Sequence, residues 1–183
     1  MIELVQKRIG IRVVTIALVA VAALQVGMLY ARAPHPPERV KPGDRFGAIA
    51  TVTSGVPVML DLAKLPACTF VIFTEPTCPT CEREAPTWAK TFGDSTGWKA
   101  VAISFGDWTS SHAFASSHAL TVPLFAVERP DRMAVSRAVR VPAVPTLVVL
   151  GERGTVRAVA GPSISIDSLA RIASCPRGGR PSA

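Results

Sequence analysis

A Cys-x-x-Cys pair, placed between an apolar run and a helix-compatible segment, is the feature that most constrains the fold of this chain. The run from Thr69 to Phe73 is continuously apolar and rich in β-favouring residues, which is typical of a central strand covered on both faces. A short loop then leads to Cys78 and Cys81, and a helix is predicted to follow. Because residues three apart in a helix lie about one turn from each other, the two sulfur atoms are expected to lie close together. The arrangement predicts a small, reducible disulfide.

The two cysteines are expected to differ in reactivity. Cys78 lies at the predicted N-terminus of the helix, where unpaired backbone N–H groups and the positive end of the helix dipole stabilise a thiolate. Cys81 lies further into the helix and is expected to be more buried. We therefore predict that Cys78 is the attacking thiol and that Cys81 is the resolving thiol, which releases a mixed disulfide.

A metal site is an alternative use of the same pair. Structural zinc needs two further ligands, but His35 lies in a Pro-rich segment, and His112 and His118 are not at the spacing of a ligand pair. A metallochaperone that holds copper on Cys78 and Cys81 would favour a nearby Met or His ligand, and the loop contains none. An inert structural disulfide is a further alternative. We predict a redox dithiol that needs no metal and no organic cofactor.

The N-terminal part of the chain contains a long uncharged apolar segment. From Val13 to Ala31 the composition is mainly Val, Ala, Leu and Ile, and the length is about enough to cross a bilayer as a helix. A cleavable signal peptide is the alternative, because Ala31, Arg32 and Ala33 have the small-x-small form that precedes a cleavage site. Pro34 would follow that cut directly and is a poor substrate for the peptidase. We therefore expect the segment to be retained as a transmembrane anchor.

Charge and cysteine usage bear on the organisation and location of the chain. The formal net charge is +7, but the basic residues are scattered and form no long run, so nucleic-acid binding is not favoured. Three basic residues lie on each side of the apolar segment, which leaves only a weak positive-inside bias, and the dithiol favours an exported domain. We predict a single-pass inner (cytoplasmic) membrane protein whose catalytic domain faces the periplasm. The expected parts are a cytoplasmic N-terminus (1–12), a transmembrane anchor (13–31), a Pro-rich linker (32–43), a folded domain (44–175) and a disordered tail (176–183).

Residues 44–175 alternate between β-favouring and helix-compatible segments. A β-hairpin opens the domain and a second hairpin followed by a helix closes it. Alternation of this kind predicts an α/β domain with a mixed central sheet and helices on both faces. The predicted strands are 46–53, 56–60, 69–73, 98–105, 124–127, 146–150 and 155–160, and the predicted helices are 82–92, 107–120, 131–139 and 166–173.

Two motifs carry a resemblance to a known family. The first is the sequence FTEPTCPTCEREAP from Phe73 to Pro86, and the second is Val144-Pro145-Thr146 directly before a predicted strand. Over Lys41 to Ser174 the chain resembles the TlpA/ResA-like thiol–disulfide oxidoreductases of the thioredoxin superfamily, which are membrane-anchored. The resemblance implies a thioredoxin-like fold, catalysis of thiol–disulfide exchange, exported protein thiols and disulfides as substrates, and an upstream membrane thiol-redox partner.

The resemblance also assigns roles to individual residues. Pro145 is expected to have a cis peptide bond, to lie beside Cys78 and to help align incoming substrate chains, and Val144 is expected to belong to the active-site loop. Pro142 is close enough to confuse the assignment. Glu84 stands three residues after the second cysteine, where the family has a buried acid, and is expected to exchange a proton with Cys81. The alternative for Glu84 is an exposed carboxylate on the helix surface.

The loop around the dithiol departs from the commonest family pattern. Thr77 stands where many relatives have Trp, so an aromatic docking surface is weakened or supplied elsewhere. With Pro79 and Thr80 between the cysteines, the loop looks most like the MauD-like branch, which is associated with maturation of methylamine dehydrogenase. A thiol peroxidase of this fold needs Thr three residues before its reactive Cys, whereas Glu75 holds that position. The sequence leaves open whether the protein is a reductant, an oxidant or an isomerase, which exported protein is its substrate, and what reduction potential the dithiol has.

The other two cysteines are candidates for a structural disulfide. Cys68 precedes the central strand and Cys175 lies just past the last predicted helix, so a bond between them would tie that helix to the sheet. Four cysteines in an exported protein naturally form two pairs. Because Cys175 is next to the predicted disordered tail, free or transiently reactive thiols are the alternative.

Overall fold

The computed structural model describes residues 18–28, 38–93 and 97–175. Residues 18–28 are helical and exposed, and within the described ranges no helix combines the length and the apolar composition needed to cross a membrane. The predicted anchor continues beyond 18–28 on both sides. The predicted N-terminus (1–12), the first half of the linker (32–37) and the tail (176–183) lie outside the described residues.

The chain divides into two compact units, Met1–Pro37 and Glu38–Ala183. The second unit therefore begins before the predicted boundary at residue 44. Val40 is 8% exposed and its backbone N–H donates to the carbonyl oxygen of Arg140 at 2.7 Å. An apolar side chain and a backbone hydrogen bond thus place the end of the predicted linker within the fold.

A seven-stranded mixed sheet forms the centre of the second unit. Its order is β2-β1-β5-β4-β3-β6-β7, with β3–β4 and β4–β5 parallel and the other pairs antiparallel. The strands are β1 Ala48–Thr53, β2 Val56–Asp61, β3 Thr69–Thr74, β4 Lys99–Ser104, β5 Leu124–Ala126, β6 Thr146–Leu150 and β7 Val156–Ala160. The helices are α1 Pro79–Gly93, α2 Trp108–Ser117, α3 Arg132–Val139 and α4 Ile166–Ile172. The predicted α/β architecture is confirmed.

Several predicted boundaries differ from the observed ones. Helix α1 begins at Pro79 instead of residue 82, because proline fits the first turn, where its missing N–H has no helical partner. The helix also continues through Pro86, which lies in its interior. Helix α2 ends at Ser117 instead of residue 120, since Ala119 adopts a left-handed backbone conformation with φ of 52°. The apolar periodicity of the sequence indicates neither the start of α1 nor the end of α2, because local backbone geometry determines both.

Strand β3 is the central element of the core, and all six of its residues are buried. Phe70 and Ile72 face a cluster that contains Trp88 of α1, whereas Val71 and Phe73 face a second cluster on the other side of the sheet. Side chains alternate along a strand, so Thr74 lies on the same face as Phe70 and Ile72. This is also the face against which Cys81 packs.

Candidate active site

The dithiol lies where β3 passes into α1. The backbone N–H of Cys78 donates to the carbonyl oxygen of Glu75 at 3.1 Å, which closes the loop into a turn. The N–H of Glu82 in turn donates to the carbonyl oxygen of Cys78 at 3.1 Å, which is the first backbone bond of the helix. Cys78 therefore immediately precedes the helix, and Cys81 lies in its first turn.

Cys78 is the accessible thiol of the pair. Both cysteines are free, and Cys78 is partly exposed whereas Cys81 is fully buried. The Sγ atom of Cys78 accepts a hydrogen bond from the backbone N–H of Cys81 at 3.2 Å. A backbone donor at a helix N-terminus favours a negatively charged sulfur over a neutral one. The site therefore presents a stabilised nucleophile to solvent.

Cys81 is held as a neutral thiol at ordinary pH. Burial, followed by the hydrogen bond with the Cys78 side chain, raises the pKa of Cys81 to about 12. The side chain of Thr74 and the backbone of Glu75 act in the opposite direction and lower the same pKa. The difference in burial predicted from the sequence is thus observed, with Cys78 accessible and Cys81 protected from ionisation. Their attacking and resolving roles stay a prediction.

The segment before β6 lies against Cys78. The thiol of Cys78 donates to the carbonyl oxygen of Val144 at a sulfur–oxygen distance of 3.8 Å. The peptide bond between Val144 and Pro145 is cis, and Pro145 is buried whereas Pro142 is exposed. The carbonyl group of Val144, the residue before Pro145, is thus directed at Cys78. Alignment of substrate chains by Pro145 stays a prediction.

Among the described residues, Glu84 is not one of the groups that interact with the Cys81 sulfur. Its side chain is half-buried, and within the described residues it forms no hydrogen bond or ion pair. The groups that interact with the Cys81 sulfur are Cys78, Thr74 and the backbone of Glu75. Proton exchange between Glu84 and Cys81 stays a prediction.

Sequence reasoning missed Thr74. The predicted strand ends at Phe73 and leaves Thr74 in the loop, whereas Thr74 is the last residue of β3 and is 0% exposed. The available signal was a polar side chain one position beyond a strand that delivers a Cys-x-x-Cys pair. That position falls on the face where the helix packs.

The rest of the loop leaves the nucleophile open. Thr77 and Pro79 are exposed, and Thr80 is partly buried, with its hydroxyl oxygen accepting a hydrogen bond from Arg83 at 3.1 Å. Small or polar side chains therefore flank Cys78 in the loop, and residues 74–81 include no aromatic side chain.

A polar cleft of about 240 Å³ adjoins the loop before Cys78. An ion pair between Arg132 Nη2 and Glu75 Oε1, 2.7 Å apart, lies at the cleft. Gly106 is packed so closely that a Cβ atom there would lie 2.9 Å from Cδ of Pro76. The lining residues are Glu75, Pro76, Thr77, Phe105, Gly106, Asp107, Ser110, Val127, Arg129 and Arg132.

Cys68 and Cys175 are joined by a disulfide in the structure, with their Cα atoms 5.5 Å apart. The backbone N–H of Cys68 donates to the carbonyl oxygen of Leu150 at 2.7 Å, which fixes this cysteine directly before β3 and beside the end of β6. Cys175 is 6% exposed and belongs to the cluster that includes Leu169 of α4. The bond ties the end of α4 to the sheet and leaves the dithiol free.

Potential metal ligands do not gather in the described part of the chain. Within residues 18–28, 38–93 and 97–175, no three His, Cys, Asp or Glu side chains are grouped so that they could hold a metal ion.

The similarity of this chain to known proteins is found in three-dimensional structure and not in sequence. No family model and no curated protein matches the sequence. The thioredoxin domain of a thiol-disulfide oxidoreductase from Bacteroides vulgatus superimposes with a TM-score of 0.59 and 16% identity, over 74% of this chain and 96% of that one.

Two further solved structures are similar. A secreted disulfide oxidoreductase of Mycobacterium tuberculosis, homologous to E. coli DsbE, gives a TM-score of 0.53 and 23% identity over 69% of this chain and 94% of that one. StoA from Bacillus subtilis gives 0.53 and 17% identity over 72% of this chain and 98% of that one. The likeness to these structures shows that the chain has a thioredoxin-like fold.

Proposed function

We propose that this protein is a thiol–disulfide oxidoreductase, anchored in the inner membrane, that exchanges disulfides with exported proteins through Cys78 and Cys81. The observation that carries the proposal is the asymmetry of the pair. Cys78 is partly exposed and accepts a backbone hydrogen bond at 3.2 Å, whereas Cys81 is buried and protonated. One accessible thiolate and one reserved thiol are what a two-step exchange requires.

The reaction proceeds through a mixed disulfide. The Cys78 thiolate attacks one sulfur of a substrate disulfide, and the other substrate sulfur leaves and takes up a proton. Cys81 then loses its proton and attacks Cys78 Sγ, which releases the second substrate thiol and leaves a Cys78–Cys81 disulfide. The reverse sequence oxidises a substrate dithiol. No cofactor enters either direction, and an upstream membrane thiol-redox partner resets the pair.

The other cysteine pair and the apolar segment both support a membrane-anchored domain on the periplasmic side. A structural disulfide such as Cys68–Cys175 persists in oxidising compartments, which supports a domain on the periplasmic side. The uncharged segment 13–31 supports a single N-terminal anchor.

The substrate is proposed to be a cysteine-containing exported protein. The loop with Thr77, Pro79 and Thr80 favours a MauD-like role in maturation of a partner such as methylamine dehydrogenase, and an apocytochrome is the second candidate. The test is to trap the partner of a Cys81→Ser variant in cells and to identify it by mass spectrometry. The maturation role would be contradicted if the trapped protein contained few disulfide-forming cysteines.

A redox titration tests the proposed activity. The full-length protein, held in detergent, is equilibrated in glutathione buffers, and its thiols are trapped and mapped by mass spectrometry. We expect Cys78 and Cys81 to interconvert as one two-electron couple while Cys68 and Cys175 stay paired. A potential near about −270 mV indicates a reductant, and one near about −120 mV indicates an oxidant. If the pair never interconverts, the redox function is wrong and copper binding by the same cysteines becomes the leading hypothesis.

A further inference from the structure

The hydroxyl group of Thr74 is a buried polar group without an ordinary partner. Thr74 is 0% exposed, and its Oγ1 atom makes no hydrogen bond of standard geometry. Buried hydroxyl groups are nearly always hydrogen-bonded, because leaving one unpaired costs about 1 to 3 kcal/mol. An unpaired hydroxyl at the strand end that precedes the active-site loop therefore calls for a functional explanation.

The neighbouring buried hydroxyl groups do not satisfy Thr74. Ser104 stands opposite Thr74 in the parallel β3–β4 register, and its Oγ accepts a hydrogen bond from Ser111 Oγ at 2.8 Å. Both serines are 0% exposed. The two serine hydroxyl groups are thus bonded to each other, and the Thr74 hydroxyl is left uncommitted.

Cys81 is the group that Thr74 can serve. The Thr74 side chain interacts with the Cys81 sulfur and favours its charged form. A neutral thiol is a weak acceptor, so a well-formed hydrogen bond is not expected while Cys81 keeps its proton. A thiolate is a much stronger acceptor, and a hydrogen bond to a charged group is about twice as strong as a neutral one.

The second step of the exchange creates this charge. Cys81 must lose its proton before it attacks Cys78 Sγ, and the released substrate thiolate takes up a proton, so the overall step forms the Cys78–Cys81 bond and breaks the bond to substrate. The developing thiolate is buried and away from water. A donor already in place stabilises it without any rearrangement.

We propose that Thr74 is a positioning residue for this step: its hydroxyl group, uncommitted in the reduced protein, donates a hydrogen bond to the Cys81 sulfur as that sulfur becomes a thiolate. The inference rests on the proposed function, since it assigns a role within the same two-step exchange. It places the support of the resolving thiol on the strand that precedes the loop, and not on the carboxylate of Glu84.

The experiment uses 5,5′-dithiobis(2-nitrobenzoate) as substrate for the full-length protein in detergent, with the dithiol reduced. Attack by Cys78 releases one coloured thiolate and resolution by Cys81 releases a second, so stopped-flow absorbance separates the steps. The variants are Thr74→Val, which replaces the hydroxyl by a methyl group of similar size, and Thr74→Ser, which keeps it. Thr69→Val is the matched control, because Thr69 is buried on the same strand but donates to Pro66 at 2.7 Å.

We expect Thr74→Val to leave the first step unchanged and to slow the second step about tenfold to hundredfold, which is the range for a lost hydrogen bond to a charged group. The midpoint of the pH profile of the second step should move upward. Thr74→Ser should restore the rate to within about threefold of the parent protein. Thr69→Val should slow neither step.

Stability separates this role from a merely structural one. Removing an unpaired buried hydroxyl is expected to leave the melting temperature unchanged or higher, so a slow second step in a stable Thr74→Val protein supports the proposal. An unchanged second step in Thr74→Val, or a Thr74→Ser variant as slow as Thr74→Val, would overturn it. If the parent protein forms no Cys78–Cys81 disulfide, the proposed function itself fails.

Discussion

The backbone N–H of Cys81 donates a hydrogen bond to the Sγ atom of Cys78 at 3.2 Å, so the proposed resolving residue supports the proposed nucleophile in the reduced protein. The bond exists because Cys78 precedes α1 and the N–H groups of the first turn have no helical acceptors. Pro79 contributes no N–H of its own, and it is the amide of Cys81 that is directed at the sulfur. The hydrogen bond to the Cys78 sulfur thus depends on the position of the pair at the start of α1.

The stability of the reduced protein should depend on pH through Cys81. Its pKa is raised from 9.0 to about 12, first by burial and then by the hydrogen bond with Cys78, so the folded state holds a proton that the unfolded chain gives up near pH 9. The associated stability is complete below about pH 9 and is lost as pH rises toward about 12.

Urea unfolding of the reduced protein at several pH values measures this dependence, with a Cys81→Ala variant as the reference. We expect the free energy of unfolding to fall more steeply with pH in the parent protein than in the variant above about pH 9. Parallel curves for the two proteins would show that Cys81 is not protected from ionisation.

Gly106 should be intolerant of any side chain. A Cβ atom there would lie 2.9 Å from Cδ of Pro76 and 3.1 Å from Oγ of Ser111, so Gly106→Ala must push on the active-site loop. We expect a loss of about 1 to 3 kcal/mol in stability, as for overpacking of a core, together with slower attack by Cys78. Gly47→Ala is the control, since no atom lies within 4 Å of its added Cβ. Equal melting temperatures for the two variants would contradict the packing described.

The Cys68–Cys175 disulfide should stabilise the fold without taking part in exchange. The bond spans 107 residues, and disulfides typically stabilise proteins by about 2 to 4 kcal/mol. We expect the double variant Cys68→Ser, Cys175→Ser to unfold at lower urea concentration but to keep both rates of the dithiol within about twofold. A large change in the rate of either step would show that the bond has a redox role.

Glu84 should contribute less to resolution than Thr74. The carboxylate is half-buried and forms no hydrogen bond or ion pair with any described residue, whereas the buried Thr74 hydroxyl interacts with the Cys81 sulfur. We expect Glu84→Gln to slow the second step by less than about twofold in the stopped-flow assay. A loss comparable to that of Thr74→Val would restore the role that the family resemblance implies for Glu84.

The sequence was sufficient for the architecture because each of its signals is local. The continuous apolar run of β3 and the strand–helix alternation predict a mixed sheet, and the spacing of Cys78 and Cys81 places them at a helix start. The cis bond before Pro145 was expected only through the family resemblance. The contact between Val144 and Cys78 joins residues 66 positions apart, so no local pattern encodes its distance.

The parts that could not be predicted depend on packing between distant elements. Val40 is buried in the second apolar cluster, and its backbone N–H bonds to Arg140, a hundred residues later in the sequence. The composition of the predicted linker does not indicate this packing. The Thr74 hydroxyl group is buried because a helix covers it. Gly106 has no room for a side chain because Pro76 packs against it. Each of these contacts depends on how separate elements pack in the folded structure.

Trapping of the mixed disulfide tests the central claim most directly. The full-length Cys81→Ser variant is incubated with a disulfide-bonded peptide, quenched with acid and mapped by mass spectrometry, with Cys78→Ser as the matched control. We predict a stable peptide adduct on Cys78 in the first variant and no adduct in the second, because only the accessible thiol attacks and its resolving partner is absent. Absence of an adduct on Cys78, or equal adducts in both variants, would contradict the account.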